Sequence, residues 1–577
     1  MKIGAFRPLA EETQLLVLGY GGTLRPDLNH CPGGLVTDDH AVMPPVMREL
    51  VGPLLIEASH QLRERTEDAH RQSAGEPIPL DSLLQLLRER LCGILTQAIA
   101  EYADDSRQLA GDLRHQFPLL RPLLSHAIYE WISATTTFLQ RLHRDGPRIL
   151  AWLHLPARTP VESVCGTASD AHAGGHAVLR VSFAGGHCLY YKPRLVTGEW
   201  LWRRLLETVA QLDPALCLPA SRVLTDERRF YYGWVESVLP EDRSVTENSV
   251  DSAGAADYWH AAGATLCLAQ HARLTDLHLG NIVATPHGPA VTDAECLATP
   301  DFSVGAPTSQ GGDKVIEASL NSLHSTGLLP RNSKTGVPDI SGLFGKAAPL
   351  AGSLSGLRLP LWVADASGDY RLAQLPAILV DHRNVDQSNV DQGNAAVATS
   401  AIAALPRIMS GYRHAAQTLL GCRKTLLDPG AHWRSVLEKA HAPRMVLRDT
   451  LTYGLVLSES LAAGHLSSWH RRRSAIFSRL QSSAPAALPK AVIRAETHAL
   501  LQLHVPRLLT PPATRSLSNG SGRVLARGFA SGTSAEGVVA QMQRLSPETI
   551  ESVHIPALIF AILSQQPGVV ANVSDAR

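Results

Sequence analysis

The sequence lacks the features that would place the chain in a membrane, in an oxidising compartment or on nucleic acid. It contains 53 Lys and Arg residues against 53 Asp and Glu residues, so no net basic field is available to hold nucleic acid or an anionic membrane surface. No apolar run reaches membrane-spanning length, and the N-terminus lacks the basic start and apolar core of a signal peptide. The eight cysteines are scattered singly, without a CxxC pair or a zinc-like cluster. These absences predict a cytoplasmic protein with reduced thiols, no nucleic-acid partner and no membrane span.

Lysine is also scarce, and the position of one lysine is informative. Lys192 is the only lysine between Lys2 and Lys314, although the same segment contains many arginines. It ends the second run of a predicted hairpin, whose turn is the Ala-Gly-Gly-His sequence at 184–187. A glycine-rich connection at 165–175 leads into that hairpin.

A glycine-rich loop, a hairpin and a lysine at a strand end are the parts of a kinase small lobe. There, backbone N–H groups cover the nucleotide phosphates and the lysine reaches them. A compact ammonium can touch several phosphate oxygens from one point, and a planar guanidinium does not replace it. We therefore predict that Lys192 contacts phosphates. The alternative, a solvated lysine at the end of an ordinary hairpin, stays open at this point.

The richest set of acid–base and metal-binding side chains lies in residues 275–295. The set begins with Thr-Asp-Leu-His-Leu-Gly-Asn-Ile-Val and ends, after a short gap, with Val-Thr-Asp-Ala-Glu. Asp276 can orient or deprotonate a hydroxyl, and the amide oxygen of Asn281 can help to hold a metal. Asp293 and Glu295 add two carboxylates. Mg²⁺ prefers oxygen ligands of this kind together with the phosphates of a nucleotide.

The spacing of Asp276, Asn281 and Asp293 is nearly that of the catalytic Asp and the two metal-binding residues of protein kinases. The differences are His278, which has no kinase counterpart, and Asp-Ala-Glu in place of Asp-Phe-Gly. A turn or a cap would explain any one of these residues alone. The ordered set, with two short predicted strands between its parts, predicts a phosphoryl-transfer centre that uses ATP and Mg²⁺.

Hydrophobic periodicity and composition predict an α+β protein in five parts. These are a helical N-terminal region (1–150), a small lobe with the Gly-rich loop and hairpin (151–240), a catalytic and metal-binding segment (241–300), a loop-rich activation-type insert (301–400) and a helical remainder (401–577). Residues 384–388 are nearly repeated at 389–393, which predicts a polar loop within the insert.

Arginines in the last part support two further predictions. Pro443 predicts a helix start, which would place Arg444 and Arg448 on one face as a phosphate grip. Thr450 would lie roughly 120° around such a helix from Arg444, so spacing alone does not pair them. The three arginines at 471–473 predict a solvated basic face, with docking of a peptide as the alternative.

Together, these residues resemble the dehydratase half of class II lanthipeptide synthetases, the LanM type. The resemblance covers most of the chain, from about residue 100 to the C-terminus, and the motifs occur in the order of that family. The motifs are Ser169-Asp170-Ala171-His172, Tyr191-Lys192-Pro193-Arg194, Tyr232-Gly233-Trp234, Thr275-Asp276-Leu277-His278 with Gly280-Asn281, Asp293-Ala294-Glu295, Leu328-Leu329-Pro330, and Arg444 through Arg448 to Thr450 and Tyr453.

The resemblance implies a two-lobed catalytic core like that of lipid and protein kinases, with helical N-terminal and C-terminal regions. It implies an ATP-dependent dehydratase that phosphorylates Ser and Thr of a ribosomal precursor peptide carrying a leader. The same site would then eliminate the phosphate to give dehydroalanine or dehydrobutyrine. The implied cofactors are ATP and Mg²⁺, and zinc is not expected.

Roles in phosphorylation are implied for five positions. Asp276, His278 and Asn281 would serve the transfer of the phosphoryl group. Asn281, Asp293 and Glu295 would hold Mg²⁺.

Roles at the nucleotide and in elimination are implied for five more. Lys192 would contact the nucleotide phosphates, with Asp170 and His172 in the loop above them. Arg444 and Thr450 match the positions that the family uses for elimination, where an Arg would stabilise the leaving phosphate. Lys192 and His172 are both candidates for the elimination base.

The chain departs from the family at three places. Gly280 stands where the family has an acidic residue, and His176 stands where it has an Arg. A full synthetase continues into a zinc-dependent cyclase with a Cys-His-Gly motif, which this sequence does not contain. We therefore expect dehydration without cyclisation. A separate LanC-like cyclase acting in trans, an uncyclised product and a fragment of a longer protein are the alternatives.

Two other functions remain open at the level of sequence. One is a peptide or small-molecule kinase that stops after phosphorylation, against which Arg444 and Thr450 argue. The other is an inactive subunit that binds the precursor peptide and delivers it to another enzyme. The joint presence of Asp276, Asn281 and Asp293 argues against that alternative.

Overall fold

The computed structural model describes most of the chain. Two predicted features, Asp170 and the repeat at 384–393, lie outside the described residues. The described residues are 24–26, 45–71, 80–99, 117–167, 171–172, 174–236, 253–302, 323–330, 339–345, 348–349, 358–364, 370–379, 401–448, 450–485 and 487–563.

In the described residues of the N-terminal part, three helices follow a short first strand. The strand is β1 (Leu24–Pro26), and the helices are α1 (Pro45–Arg71), α2 (Leu80–Ile99) and α3 (Leu120–Trp152). The leucines of α2 recur every three or four positions, and the inward-facing ones are buried, as expected for an amphipathic helix. The helices predicted in this region are thereby confirmed.

A five-stranded antiparallel sheet comes next and carries the predicted hairpin. Its strands lie side by side in the order β2 (Val161–Gly166), β3 (Leu179–Phe183), β4 (Cys188–Lys192), β6 (Gly233–Glu236) and β5 (Val223–Thr225). β3 and β4 form the hairpin, and Lys192 is the last residue of β4, opposite Gly233 in β6. Lys192 therefore ends a central strand of the sheet.

Helix α3 is tied to this sheet by a buried carboxylate. Asp145 accepts hydrogen bonds from the Tyr232 hydroxyl at 2.6 Å and from Trp234 Nε1 at 2.9 Å. The Trp234 ring packs against Tyr191, with the ring centroids 4.9 Å apart. A buried carboxylate is costly unless it is hydrogen-bonded. The Tyr-Gly-Trp motif thus has a structural role in docking the helix onto the sheet.

The segment that carries the catalytic motif follows two more helices. These are α4 (Thr197–Leu212), one face of which is buried, and α5 (Ala253–His271). A turn after α5 leads through a 3₁₀ turn (Leu279–Asn281) into the hairpin of β7 (Ile282–Thr285) and β8 (Gly288–Val291). The two short strands predicted between the parts of the motif are confirmed.

The prediction that the chain is loop-rich from residue 295 to about 395 is wrong for part of that segment. Strands β9 (Ala348–Pro349), β10 (Arg358–Ala364) and β11 (Tyr370–Leu379) form an antiparallel sheet with β1. Trp362 Nε1 donates a hydrogen bond to Thr96 Oγ1 at 3.2 Å, which anchors β10 to α2. Pro360 and Pro376 lie inside these strands, and prolines ordinarily argue against a strand because they lack an N–H group.

The C-terminal part is mainly helical and contains one small sheet. Ser546 caps α12 by accepting a hydrogen bond from the Thr549 N–H. The helices are α6 (Ala401–Leu427), α7 (His432–Lys439), α8 (Thr450–Ser460), α9 (Trp469–Ser482), α10 (Lys490–Leu501), α11 (Ser534–Arg544), α12 (Pro547–Thr549) and, after a π turn, α13 (Ile555–Leu563), and the strands are β12 (Leu508–Leu509), β13 (Leu517–Asn519) and β14 (Val524–Ala526).

The predicted phosphate grip of Arg444 and Arg448 is wrong. The helix expected from Pro443 begins only at α8, because the preceding backbone pairs with other segments. The Arg444 N–H donates to the Glu295 carbonyl at 2.9 Å, and the Met445 N–H donates to the Leu508 carbonyl at 2.9 Å. The guanidinium of Arg448 turns to a different region, where Nε donates to Glu496 at 3.1 Å.

The predicted solvated face at 471–473 is also wrong at its central residue. Arg471 and Arg473 are exposed, but Arg472 is fully buried in α9. Its Nη1 and Nη2 donate to the carbonyls of Leu501 and Leu500 at 2.7 and 3.0 Å. These carbonyls lie at the C-terminus of α10, where they have no partner within the helix. Arg472 therefore caps that helix.

The buried apolar side chains form two clusters. The first contains residues of α4 to α7 together with α11 and α13. The second contains residues of α1 to α3, the five-stranded sheet and α8 to α10. The mixture of helices with small antiparallel sheets confirms an α+β fold. No helix in the described ranges is long and apolar enough to cross a bilayer.

Candidate functional site

Lys192 is the first side chain of the site, and it is buried at the end of β4. Its Nζ donates hydrogen bonds to Glu199 Oε1 and to the Thr292 carbonyl, both at 2.8 Å, and lies 3.5 Å from Asp293 Oδ2. Glu199 occupies the first turn of α4. Lys192 thus joins the sheet to α4 and to the segment that contains Asp293.

The start of α4 packs directly on the Asp-Ala-Glu segment. A Cβ added at Gly198 would lie 2.1 Å from the Ala294 carbonyl oxygen, so only glycine allows this approach. Arg194 Nη2 donates to Glu199 Oε1 at 2.8 Å and to both oxygens of Asp293 at 2.8 and 2.7 Å. Burial alone would raise the pKa of Glu199, but the charges of Arg194 and Lys192 outweigh burial and hold this pKa below its usual value.

Asp276, His278 and Asn281 lie together in the turn after α5. Asp276 has a left-handed backbone with φ of 64°, and Asn281 Nδ2 donates to its carbonyl at 2.8 Å. The Gly280 N–H donates to His278 Nδ1 at 3.1 Å, and His278 Nε2 lies 3.3 Å from Asn281 Nδ2. Burial raises the pKa of the Asp276 carboxyl, and Glu295 and Asp293 raise it further.

Glu295 is surrounded by three arginines. Arg444 Nη1 donates to Oε1 at 2.6 Å, while Arg194 Nε and Arg507 Nη2 lie 3.1 and 3.2 Å from Oε2. Burial would raise the pKa of Glu295, but these three guanidinium groups hold it well below the usual value. The carboxylate is therefore an anion that organises the cations around it.

His172 and Thr450 differ in their relation to the arginines around Glu295. His172 Nδ1 lies 3.1 Å from the Val505 carbonyl, and burial together with Arg444 and Arg507 lowers the pKa of His172 to about 3. The imidazole is consequently neutral, with Nδ1–H donating to Val505 and Nε2 carrying a lone pair. Thr450 is the half-buried first residue of α8, and the described hydrogen bonds of Arg444 do not include it.

The residues predicted to bind Mg²⁺ fit that ion unequally. Asn281 directs Nδ2 to a backbone carbonyl, so its Oδ1 faces away from that contact and would be the atom offered to a cation. The Asp293 side chain is 23% exposed, but both of its oxygens accept hydrogen bonds from Arg194 Nη2. Glu295 is 9% exposed and already paired with guanidinium groups. Asn281 therefore suits a hard cation as it stands, whereas Asp293 and Glu295 would first have to release an arginine.

Sequence reasoning missed Glu199 and Arg507 and left Arg194 without a role. Glu199 could have been found, because it follows Lys192 by seven positions in the next helix, like the Lys–Glu pair of kinases. Arg507 carries no such signal. It lies in a short irregular segment after α10, and only the fold brings it to Glu295.

The wider comparisons give a family and no curated relative. No curated protein matches the chain. The family model described as "Domain of unknown function (DUF4135)" matches residues 117–510, which include every site residue discussed above. The match extends over more than half of the sequence, so this chain belongs to the DUF4135 family.

Proposed function

We propose that this protein is a lanthipeptide dehydratase. It would use ATP to phosphorylate Ser and Thr of a ribosomal precursor peptide and then eliminate the phosphate. The observation that carries this proposal is that residues 293–295 contact both the lysine-bearing strand and Arg444. Asp293 contacts the lysine-bearing strand through Arg194 and Lys192, and Glu295 contacts Arg444. The DUF4135 domain is associated with lanthipeptide synthetase-like proteins, which agrees with the proposal.

A kinase-like two-lobed core is part of the same proposal. An antiparallel sheet ends in Lys192, the next helix carries Glu199, and the pair is joined at 2.8 Å. An ion pair between a strand lysine and a helix glutamate is required in active protein kinases. The two apolar clusters, one under the sheet and one around α5 and α6, would correspond to the two lobes.

Phosphorylation would use the turn after α5. Asp276 has a raised pKa and would accept or orient the hydroxyl proton of the substrate side chain. His278 would position Asn281, to which it is adjacent in the turn, and Asn281 with Asp293 would hold Mg²⁺. The ion would neutralise charge on the nucleotide phosphates. Lys192, whose Nζ lies 3.5 Å from Asp293 Oδ2, would contact the same phosphates.

Elimination would use the arginines around Glu295. A base removes the Cα proton of the phosphorylated residue, that electron pair forms the Cα–Cβ double bond, and the Cβ–O bond breaks so that phosphate leaves. Arg444 would stabilise the charge on the departing phosphate. Of the two candidate bases, Lys192 donates to two acceptors and is a cation, whereas His172 is neutral with a free lone pair. Both residues stay candidates, because the lowered pKa of His172 makes its lone pair a weak base.

The proposal includes partners and a compartment. The substrate is the precursor peptide with its leader, and a separate LanC-like cyclase would act on the product. The zero net charge agrees with a cytoplasmic enzyme that binds neither nucleic acid nor a membrane surface.

Intact mass of the precursor peptide tests the proposed function. The peptide would be co-expressed with the wild-type protein, with Arg444→Ala and with Arg494→Ala. We expect the wild type to remove about 18 Da per modified residue, and Arg444→Ala to leave phosphorylated peptide that is heavier by about 80 Da per site. Arg494→Ala is the control, because Arg494 is exposed on α10 and is not one of the site residues. We expect it to dehydrate the peptide.

Other outcomes would favour the other functions. Phosphate gain with the wild type would make the protein a peptide kinase without elimination. Binding of the peptide without any mass change, together with failure to bind Mg-ATP, would make it an inactive precursor-binding subunit.

A further inference from the structure

Arg507 is a buried cation to which the proposed phosphorylation and elimination steps assign no role. It directly precedes β12, and its side chain is 12% exposed. Nη2 lies 3.2 Å from Glu295 Oε2, while Arg444 Nη1 donates to Oε1 of the same carboxylate. The two guanidinium groups therefore approach one carboxylate from its two oxygens.

Glu295 is the carboxylate that Arg444 and Arg507 share. Arg194 has two further acidic partners, Glu199 and Asp293. In the part of the chain that the structure describes, Glu295 is the one carboxylate within ion-pair distance of Arg444 and of Arg507. Asp276 and Asp293 act on these two arginines only from a longer range. The two guanidinium groups therefore meet at one anion.

The backbone holds the two arginines side by side. Arg444 forms a β-bridge with Leu509, the Met445 N–H donates to the Leu508 carbonyl, and the Thr510 N–H donates to the Pro443 carbonyl at 3.2 Å. The segments that carry Arg444 and Arg507 are consequently fixed against each other. Such fixed donors bind a tetrahedral anion without first having to be ordered.

We propose that Arg444 and Arg507 together form a subsite for a phosphate monoester dianion, the phosphorylated Ser or Thr of the substrate peptide. In this subsite the phosphate would take the place of the Glu295 carboxylate between the two guanidinium groups. Each guanidinium group can donate two hydrogen bonds to phosphate oxygens, so the two arginines together can hold one phosphate from two sides. The proposal rests on the proposed dehydratase function and adds Arg507 to it.

The subsite places the phosphate of the phosphorylated peptide apart from the phosphates of the nucleotide. Lys192 lies beside Glu199 and Asp293, which is the side assigned to the nucleotide. Arg444 and Arg507 lie on the side of Glu295. During elimination the Cα proton goes to the base and the Cβ–O electron pair goes to the phosphate, so the negative charge grows where the two arginines are.

Elimination from a supplied phosphopeptide, with no ATP or Mg²⁺ added, tests this subsite. The substrate is a synthetic precursor peptide with one phosphoserine, and the variants are Arg507→Ala, Arg507→Lys and the control Arg494→Ala. We expect Arg507→Ala to slow elimination about 100-fold, the usual loss for one donor to a developing anion. Arg507→Lys should restore part of the rate, because it keeps the charge but not the fork. Inorganic phosphate should inhibit the wild type competitively and Arg507→Ala much more weakly.

The outcomes separate this proposal from the proposed function. If the wild type eliminates phosphate and Arg507→Ala does so at the same rate with the same inhibition by phosphate, Arg507 is not part of a phosphate subsite. If Arg507→Ala instead loses ATP-dependent phosphorylation and thermal stability together, its role is structural and the subsite is also rejected. If the wild type neither phosphorylates nor eliminates, the dehydratase function itself fails.

Discussion

At the scale of single residues, the site is built from buried ion pairs. Lys192 and Glu199 are each about 5% exposed, and Arg194 links both to Asp293. Removing one partner of such a pair leaves an uncompensated charge in a poorly solvated position, which is far more costly than losing an exposed pair. Each of these charges therefore affects both the stability of the fold and the alignment of the site.

Glu199→Gln is the clearest test at this scale. It should lower the rate of ATP-dependent phosphorylation at least about tenfold, equivalent to about 1.4 kcal/mol of transition-state stabilisation, because Lys192 loses its charged partner. Steady-state phosphorylation rates and thermal unfolding would be measured together.

Glu207→Gln on the same helix is the matched control for that variant. Glu207 pairs with Arg203 and Arg204 in a partly exposed position, where ion pairs contribute about 0 to 1 kcal/mol. Equal loss of phosphorylation in both variants would show that the Lys192–Glu199 pair has no special role.

At the scale of elements, the closest packing is the crossing of α5 and α6. A Cβ added at Gly263 would lie 1.9 Å from the Ile408 carbonyl oxygen, and one added at Gly411 would lie 1.8 Å from the His260 carbonyl oxygen. The two helices therefore approach backbone to backbone, through a glycine on each. The catalytic turn follows directly from the end of α5, so this crossing sets the position of Asp276.

Gly411→Ala should destabilise the protein by about 1 to 3 kcal/mol or more, because the added methyl must push the helices apart. Chemical denaturation would measure the loss, and phosphorylation activity should fall with it. Gly146→Ala in α3 is the matched control. No atom lies within 4 Å of its added Cβ, and Ala exceeds Gly in helix propensity by about 1 kcal/mol. A gain of stability at both positions would contradict the close crossing.

At the scale of the whole molecule, buried histidines should make the fold sensitive to acid. Burial lowers the pKa of His271 and of His441 to about 4. His441 Nε2 donates to the Leu297 carbonyl at 2.6 Å and its Nδ1 accepts from the Thr197 hydroxyl at 2.8 Å, so the neutral ring is fully satisfied. If Nδ1 were protonated, the Thr197 hydroxyl would lose its hydrogen-bond acceptor.

The sign of the pH effect follows from linkage. In the unfolded chain each histidine has a pKa of about 6.5, so below that pH the unfolded chain binds protons that the folded chain does not bind. The free energy of unfolding therefore falls as the pH drops from about 6.5 to 4. Each histidine contributes a loss of roughly 3 kcal/mol over that window. Urea unfolding between pH 7.5 and about 5 would measure the slope. His441→Gln should be less stable at pH 7 but should show a slope smaller by about one proton; an unchanged slope would refute this account.

Local patterns predicted much of the fold and part of the site. The hairpin of β3 and β4 and the short strands β7 and β8 follow from periodicity and turn residues. Strands β10 and β11 were missed, because prolines in a segment argue against a strand. The pairing that forms them depends on the distant strand β1 and on the contact of Trp362 with α2. The grip of Arg444 and Arg448 failed for the same reason: pairing with residues 508–510 replaced the helix that local sequence favours.

The sequence by itself determined the α+β class, the position of Lys192 at a strand end, and the order of Asp276, Asn281 and Asp293 around a short hairpin. All of these depend on neighbours within a few residues, which periodicity and spacing report. Only the tertiary structure decided which cations meet Glu295. Arg444 lies 149 positions beyond Glu295, and the route that brings Arg507 to the other carboxylate oxygen runs through the backbone pairing of residues 443–445 with 508–510. Contacts between such distant segments arise from the packing of two cores, and no local pattern encodes them.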